Sequence, residues 1–200
     1  MVSRTLKWAS LIIASIVLSF GFSGCGGAKL SPAVEKAFNS HQEMYTKRNM
    51  FISKYGRFGT RIIQTTNYGN GQVIPVNSKV KLKDVNSKQV SFIYDGSVII
   101  LQNIPKYSGT TIDQMVKRYF SPKKVDLSKF TKLEMEAIKS PTSAGRVVVG
   151  MSKEAVLVSR GYPPTHATIS PKSNTWKYWE SKFDTRLVEF KDNKVVRIIE

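Results

Sequence analysis

Cysteine and histidine are nearly absent from this chain, and acidic side chains are few beside the basic ones. Of its 200 residues one is cysteine, two are histidine and 14 are Asp or Glu, against 31 Lys or Arg. A single cysteine, Cys25, excludes an intrachain disulfide, a zinc–thiolate centre and an iron–sulfur cluster. Neither His41 nor His166 has another histidine at helical spacing, so the zinc-hydrolase helix pattern is missing. There is no Gly-x-Ser-x-Gly elbow and no phosphate-cradling Gly-Lys-Ser/Thr loop. Gly69-Asn70-Gly71 reads as a turn. The apolar run over 8–22 is about 15 residues, short of the roughly 20 that span a bilayer. With no convergent catalytic set, no metal ligands and no cofactor motif, an enzyme is not expected.

What is present begins with the leader. Arg4 and Lys7 make a positive start, Leu11-Ile12-Ile13 and Ile16-Val17-Leu18 an apolar heart, and Ser23-Gly24 a small-residue end, in the order of a secretory signal peptide. Phe22-Ser23-Gly24-Cys25 resembles the bacterial lipobox, in which cleavage after the residue at Gly24 leaves the cysteine at Cys25 as a lipidated N-terminus. Phe22 stands where that motif usually has Leu. The alternative is an uncleaved anchor helix with a buried thiol. Gly26, rather than Asp, follows the cysteine. In lipoprotein sorting this resembles an outer-membrane destination, with the body facing the periplasm. Processing at Cys25 would reduce the net charge from +17 to +15. In a cytosolic protein that charge would point to nucleic acid. In an exported one it points to anionic lipid or acidic cell-wall polymer, or to a solvated face alone.

The body reads as α+β. After a short tether (25–30), Ser31-Pro32 is a favoured helix start. Val34, Ala37, Phe38, Met44, Tyr45, Phe51, Ile52 and Tyr55 form a stripe that predicts one helix over about 32–54, stopped at Gly56, with His41 packed near it. From 59 to 105 the period becomes two. Lys79-Val80-Lys81-Leu82-Lys83 alternates strictly, and Asp95-Gly96 marks a hairpin. The run Val73 to Val80 resembles the first strand of a bacterial Src-homology-like barrel. A helix is predicted over 110–120, with Thr110 and Asp113 as its capping pair. Another is predicted over 128–139, followed by a loop at 140–145 and a brief extended run, Val147-Val148-Val149. The organisation is a helix plus β-rich domain (31–108), a helical connector (109–144) and a C-terminal domain (145–200).

In that last domain Ser152 caps a short helix that Gly161 and Pro163-Pro164 end. Strand-like runs then follow around Trp176-Lys177-Tyr178-Trp179, Leu187 to Phe190 and Val195 to Ile199, the last two joined by Asp192-Asn193. One or two helices on a small antiparallel sheet are expected. The order Gly-Met-Ser-x-x-x-Val-Leu, Gly-Tyr-Pro, Trp-x-Tyr, Val-x-Phe and Asp-Asn-Lys-Val resembles the SmpA/OmlA (BamE-like) family over about 145–200. The resemblance implies a lipid-anchored, non-enzymatic module that docks on envelope proteins, in outer-membrane protein assembly or envelope integrity. About 115 residues of other material precede it, unlike the small family members.

Two sets of site residues follow. Trp176, Tyr178, Trp179 and Phe190 are either core or anchors for an envelope-protein partner. Lys79, Lys81 and Lys83, with Lys117, Arg118, Lys123 and Lys124, are candidates for binding peptidoglycan, lipopolysaccharide or anionic lipid.

Overall fold

The computed structural model describes residues 29–40, 42–66, 69, 71–140 and 146–200. The expectations for the leader, for Gly24 and Cys25 and for His41 lie outside these residues.

Pro32 opens α1 (Pro32–Asn39), which buries Val34, Ala37 and Phe38. The predicted helix over 32–54 is wrong beyond Asn39. The chain instead forms β1 (Glu43–Thr46) and β2 (Met50–Ile52). In β1 Met44 and Thr46 are buried alternately, and all three residues of β2 are buried. Apolar residues on two short strands had imitated helical spacing. Backbone pairing with strands 20 to 40 residues away outweighs that local pattern.

The next elements are β3 (Lys54–Tyr55), β4 (Arg61–Gln64), β5 (Gln72–Ile74), β6 (Lys79–Val85), β7 (Gln89–Tyr94) and β8 (Ser97–Gln102). After the single turn α2 (Pro105–Ser108) come α3 (Ile112–Tyr119) and β9 (Phe120–Ser121). Seven strands make a mixed sheet in the order β3-β4-β8-β7-β6-β1-β9, and β2 and β5 form a separate two-stranded ribbon. β7 and β8 form the predicted hairpin, with Asp95 at φ 48° and Gly96 at φ 68° in its turn. β4 joins β8 in parallel; the other pairs are antiparallel. The helix predicted over 110–120 is present, but its capping box is Thr111 with Gln114 rather than Thr110 with Asp113. Asp113 instead accepts from the N–H and hydroxyl of Ser31, at 2.8 and 2.7 Å, tying α3 to the start of α1. Val80, Leu82, Val90, Phe92, Ile99 and Leu101 meet Met115, Val116 and Phe120 in the first core.

A second core lies under α4 (Lys132–Lys139), α5 (Lys153–Ser159) and an antiparallel sheet of β10 (Thr175–Trp179), β11 (Thr185–Lys191) and β12 (Lys194–Ile199). Ser152 caps α5 as predicted. Asp192 and Asn193 both take positive φ in the tight turn between β11 and β12. The segment predicted as a helical connector divides: α3 belongs to the first core and α4 to the second. Val147 to Val149 join no strand. The chain meets the edge of β12 just afterwards, Gly150 N–H donating to Val195 O and Val195 N–H to Met151 O, both at 2.8 Å.

Candidate functional site

In β6 Val80 and Leu82 enter the first core, so Lys79 and Lys81 point outward about 7 Å apart along the strand, and Lys83 follows at the irregularity where the register with β7 shifts between Leu82 and Asp84. All three are exposed. The same face continues across β1 and β9, because Tyr45 stands in register with both Lys79 and Ser121. Lys124 Nζ lies 5.5 Å from the centre of the Tyr45 ring, joining its charge to the row. Lys123 is exposed beside it, its N–H donating to Ser121 Oγ at 3.1 Å. On the other side of β6, Lys81 is in register with Ile93, and Ile93 with Val98, both exposed. The sheet therefore presents a row of ammonium groups beside an aliphatic strip. Two carboxylates stand beside it: Glu43 lies 2.9 Å from Lys79 Nζ, a hydrogen bond that pushes the ammonium pKa up, and Asp84, exposed next to Lys83, is in register with Ser91.

The remaining predicted cations are not on this face. Lys117 pairs with Asp113 at 2.7 Å, one helical turn away. Arg118 turns inward, where its Nη1 donates to Ser108 O at 3.2 Å. The expected cluster of Lys117, Arg118, Lys123 and Lys124 is thus split by the end of α3.

The aromatic anchors fare worse. Trp176 and Tyr178 are wholly buried and Phe190 nearly so. Trp176 packs 4.5 Å from Phe190, ring centre to ring centre, and donates its indole N–H to Ser173 O at 3.0 Å. Tyr178 donates its hydroxyl to Gly161 O at 3.0 Å, and burial pushes its phenol pKa far up. As a docking surface these three are excluded; they are the second core. Trp179 takes the opposite face of β10 and is half-buried.

Trp179 leads to a cluster that the sequence did not reveal. Its ring lies 4.9 Å from His166, and His166 lies 4.9 Å from Tyr107. With Thr66, Lys106 and Lys182 these rings line an open cleft of about 280 Å³. Three distant segments supply the rings, so no local pattern could have found it.

The other missed feature is the seam between the two cores. Asn49, buried, donates Nδ2 to Ile138 O and accepts the Val76 N–H at Oδ1, both at 2.9 Å. Arg48 sits beside it, 6% exposed. Its Nε and Nη2 donate to Arg118 O at 3.0 and 2.7 Å. Tyr162, from the second half, lies 4.5 Å from the Arg48 guanidinium and 4.4 Å from that of Arg118, ring centre to carbon. Arg160 comes from the end of α5, with Nη2 2.9 Å from Trp179 O and 3.1 Å from Glu180 Oε1. A Cβ on Gly69 would sit 0.9 Å from Arg160 Nη1, so this glycine is required by the close approach. Burial lowers the pKa of both Arg48 and Arg160, Tyr119 and Tyr162 opposing at the first and Glu180 at the second. Among the described residues no three His, Cys, Asp or Glu side chains gather as a metal would need.

No family model matches this sequence, and neither a curated protein nor a solved structure matches it.

Proposed function

We propose that this chain is an exported, lipid-anchored envelope protein that binds anionic envelope polymers, peptidoglycan or lipopolysaccharide, through the outward face of β6 and its neighbours. The observation that carries the reading is the row of exposed Lys79, Lys81 and Lys83, extended by Lys124 over Tyr45 and outnumbering the neighbouring carboxylates Glu43 and Asp84. Fixed phosphates and carboxylates on a polymer supply the charge that such a row attracts. The anchor is the thioether that the lipobox-like sequence assigns to Cys25, and intact mass of the membrane-extracted protein reads it directly.

The test is sedimentation of the protein with each polymer over a range of salt. Each lysine near an anionic surface contributes about 1 kcal/mol. Lys79→Glu, Lys81→Glu and Lys83→Glu together should weaken binding at least about 100-fold and flatten its salt dependence. Undiminished binding by the triple variant would dismiss the face as the site.

A second reading, a protein-interaction scaffold of the SmpA/OmlA (BamE-like) kind, is supported by one arrangement. Within 146–200, α5 packs on a three-stranded antiparallel sheet, with Phe183 85% exposed between β10 and β11. The barrel resemblance is supported only by the strand-rich first half. A protein partner retained at high salt and lost in Phe183→Ser would favour this second reading.

A further inference from the structure

We propose that the seam between the two cores is a binding site for a single tetrahedral oxyanion of the phosphate class, held by Arg48 with Arg118 and Arg160. Charge at this seam is unbalanced. Arg48 is buried, yet no carboxylate among the described residues forms an ion pair with it or with Arg118. Guanidinium remains protonated in proteins, so the charge stays. Burying an ion without a counter-charge costs several kcal/mol. The Arg118 carbonyl satisfies Nε and Nη2, and the Tyr162 side chain also supports the charge, while among the described residues no acceptor meets the buried Nη1 at bonding geometry. The nearest charge makes matters worse, because the Arg118 guanidinium lies against the same Tyr162 ring.

Space is available at this point. A cavity of about 40 Å³ is lined by Arg48, Arg118, Arg160, Tyr119, Tyr162 and Thr110 among others, and among the described residues no Asp or Glu lines it. That is roughly three times the space one water needs, which suits a tetrahedral oxyanion. Arg160 is partly balanced by Glu180 outside the cavity, so the excess positive charge rests on Arg48 and Arg118. Water could bond Nη1 but would leave that charge standing. An oxyanion would do both, and the planar guanidinium fork fits it. Such an anion would also bind the two halves together, because Arg48 and Arg118 come from the first and Arg160 and Tyr162 from the second. The site is separate from the lysine face and does not depend on it.

The test is calorimetric and thermal titration of the full chain with inorganic phosphate at fixed ionic strength, with chloride as control. One site is expected, with a rise in Tm of roughly 5 °C at a hundredfold excess over Kd. The Lys79→Glu, Lys81→Glu, Lys83→Glu variant should keep this site. Arg48→Met should lose it while melting no lower than the parent in phosphate-free buffer, since an uncompensated charge has been removed. Arg118→Met, at a less buried position, should weaken phosphate at least tenfold and covers the case in which Arg48→Met fails to fold. Glycerol phosphate in competition distinguishes the sources: displacement of phosphate points to an esterified headgroup, and no displacement to the free ion. Absence of saturable phosphate binding in the parent, or binding in both arginine variants as tight as the parent's, would overturn the proposal.

Discussion

At the scale of single residues, Asp113 shows how one side chain can be assigned the wrong job from sequence and still matter. It does not cap α3. It accepts two hydrogen bonds from Ser31 and an ion pair from Lys117. Burial works to raise its pKa, but those three interactions, from Lys117 and Ser31, prevail and hold it at about 2. A carboxylate depressed below its ordinary 3.8 contributes stability that is fully present above that value and disappears as pH falls through about 2. Asp113→Asn is therefore expected to lower stability at pH 7 by about 1–2 kcal/mol. The difference from the parent should shrink on acidification over that same window. Urea unfolding at a series of pH values measures both. The signal for this role was absent from the local sequence, because Ser31 lies 82 residues away.

Helices and strands divide into those whose pattern is self-contained and those whose partners are remote. The β7–β8 hairpin, the caps of α5 and the turn between β11 and β12 were legible, since turn and cap residues act within four positions. The length of α1 was not, because β1 and β2 exist only through β6, β9 and β5. At α4 one residue serves two elements. Glu134 accepts the Thr131 N–H at 2.9 Å to complete the capping box, and the Ser152 N–H at 2.7 Å where α5 begins. Burial would raise its pKa, yet the bonds from Ser152 and Thr131 lower it. Glu134→Ala should destabilise the second core by about 1–3 kcal/mol, since two partly buried donors lose an ionised partner. Glu134→Gln should recover part of that loss. Thermal melts of both variants check the order.

For the whole molecule the deciding feature is the seam. Asn49 donates to α4 and accepts from Val76, and its own N–H bonds Val158 O at 2.9 Å. Asn49→Ala removes both side-chain bonds and leaves a buried N–H and carbonyl exposed to no partner, a loss of about 2–4 kcal/mol. It is expected to split thermal unfolding into two transitions, one per core, which calorimetry resolves. A single unchanged transition would mean that the two cores unfold together without this link.

The sequence by itself determined the mixed α+β class, the outward alternation of Lys79, Lys81 and Lys83, and the buried pairing of Trp176 with Tyr178 on one face of β10. Each depends on a period of two or on a cap or turn a few residues long. Only the tertiary structure decided that the helical stripe stops at Asn39, that Arg118 leaves the basic cluster, and that Arg48, Arg160 and Tyr162 meet. Those outcomes rest on contacts between residues from 10 to more than 100 apart, where burial and charge are set by neighbours that local spacing does not specify.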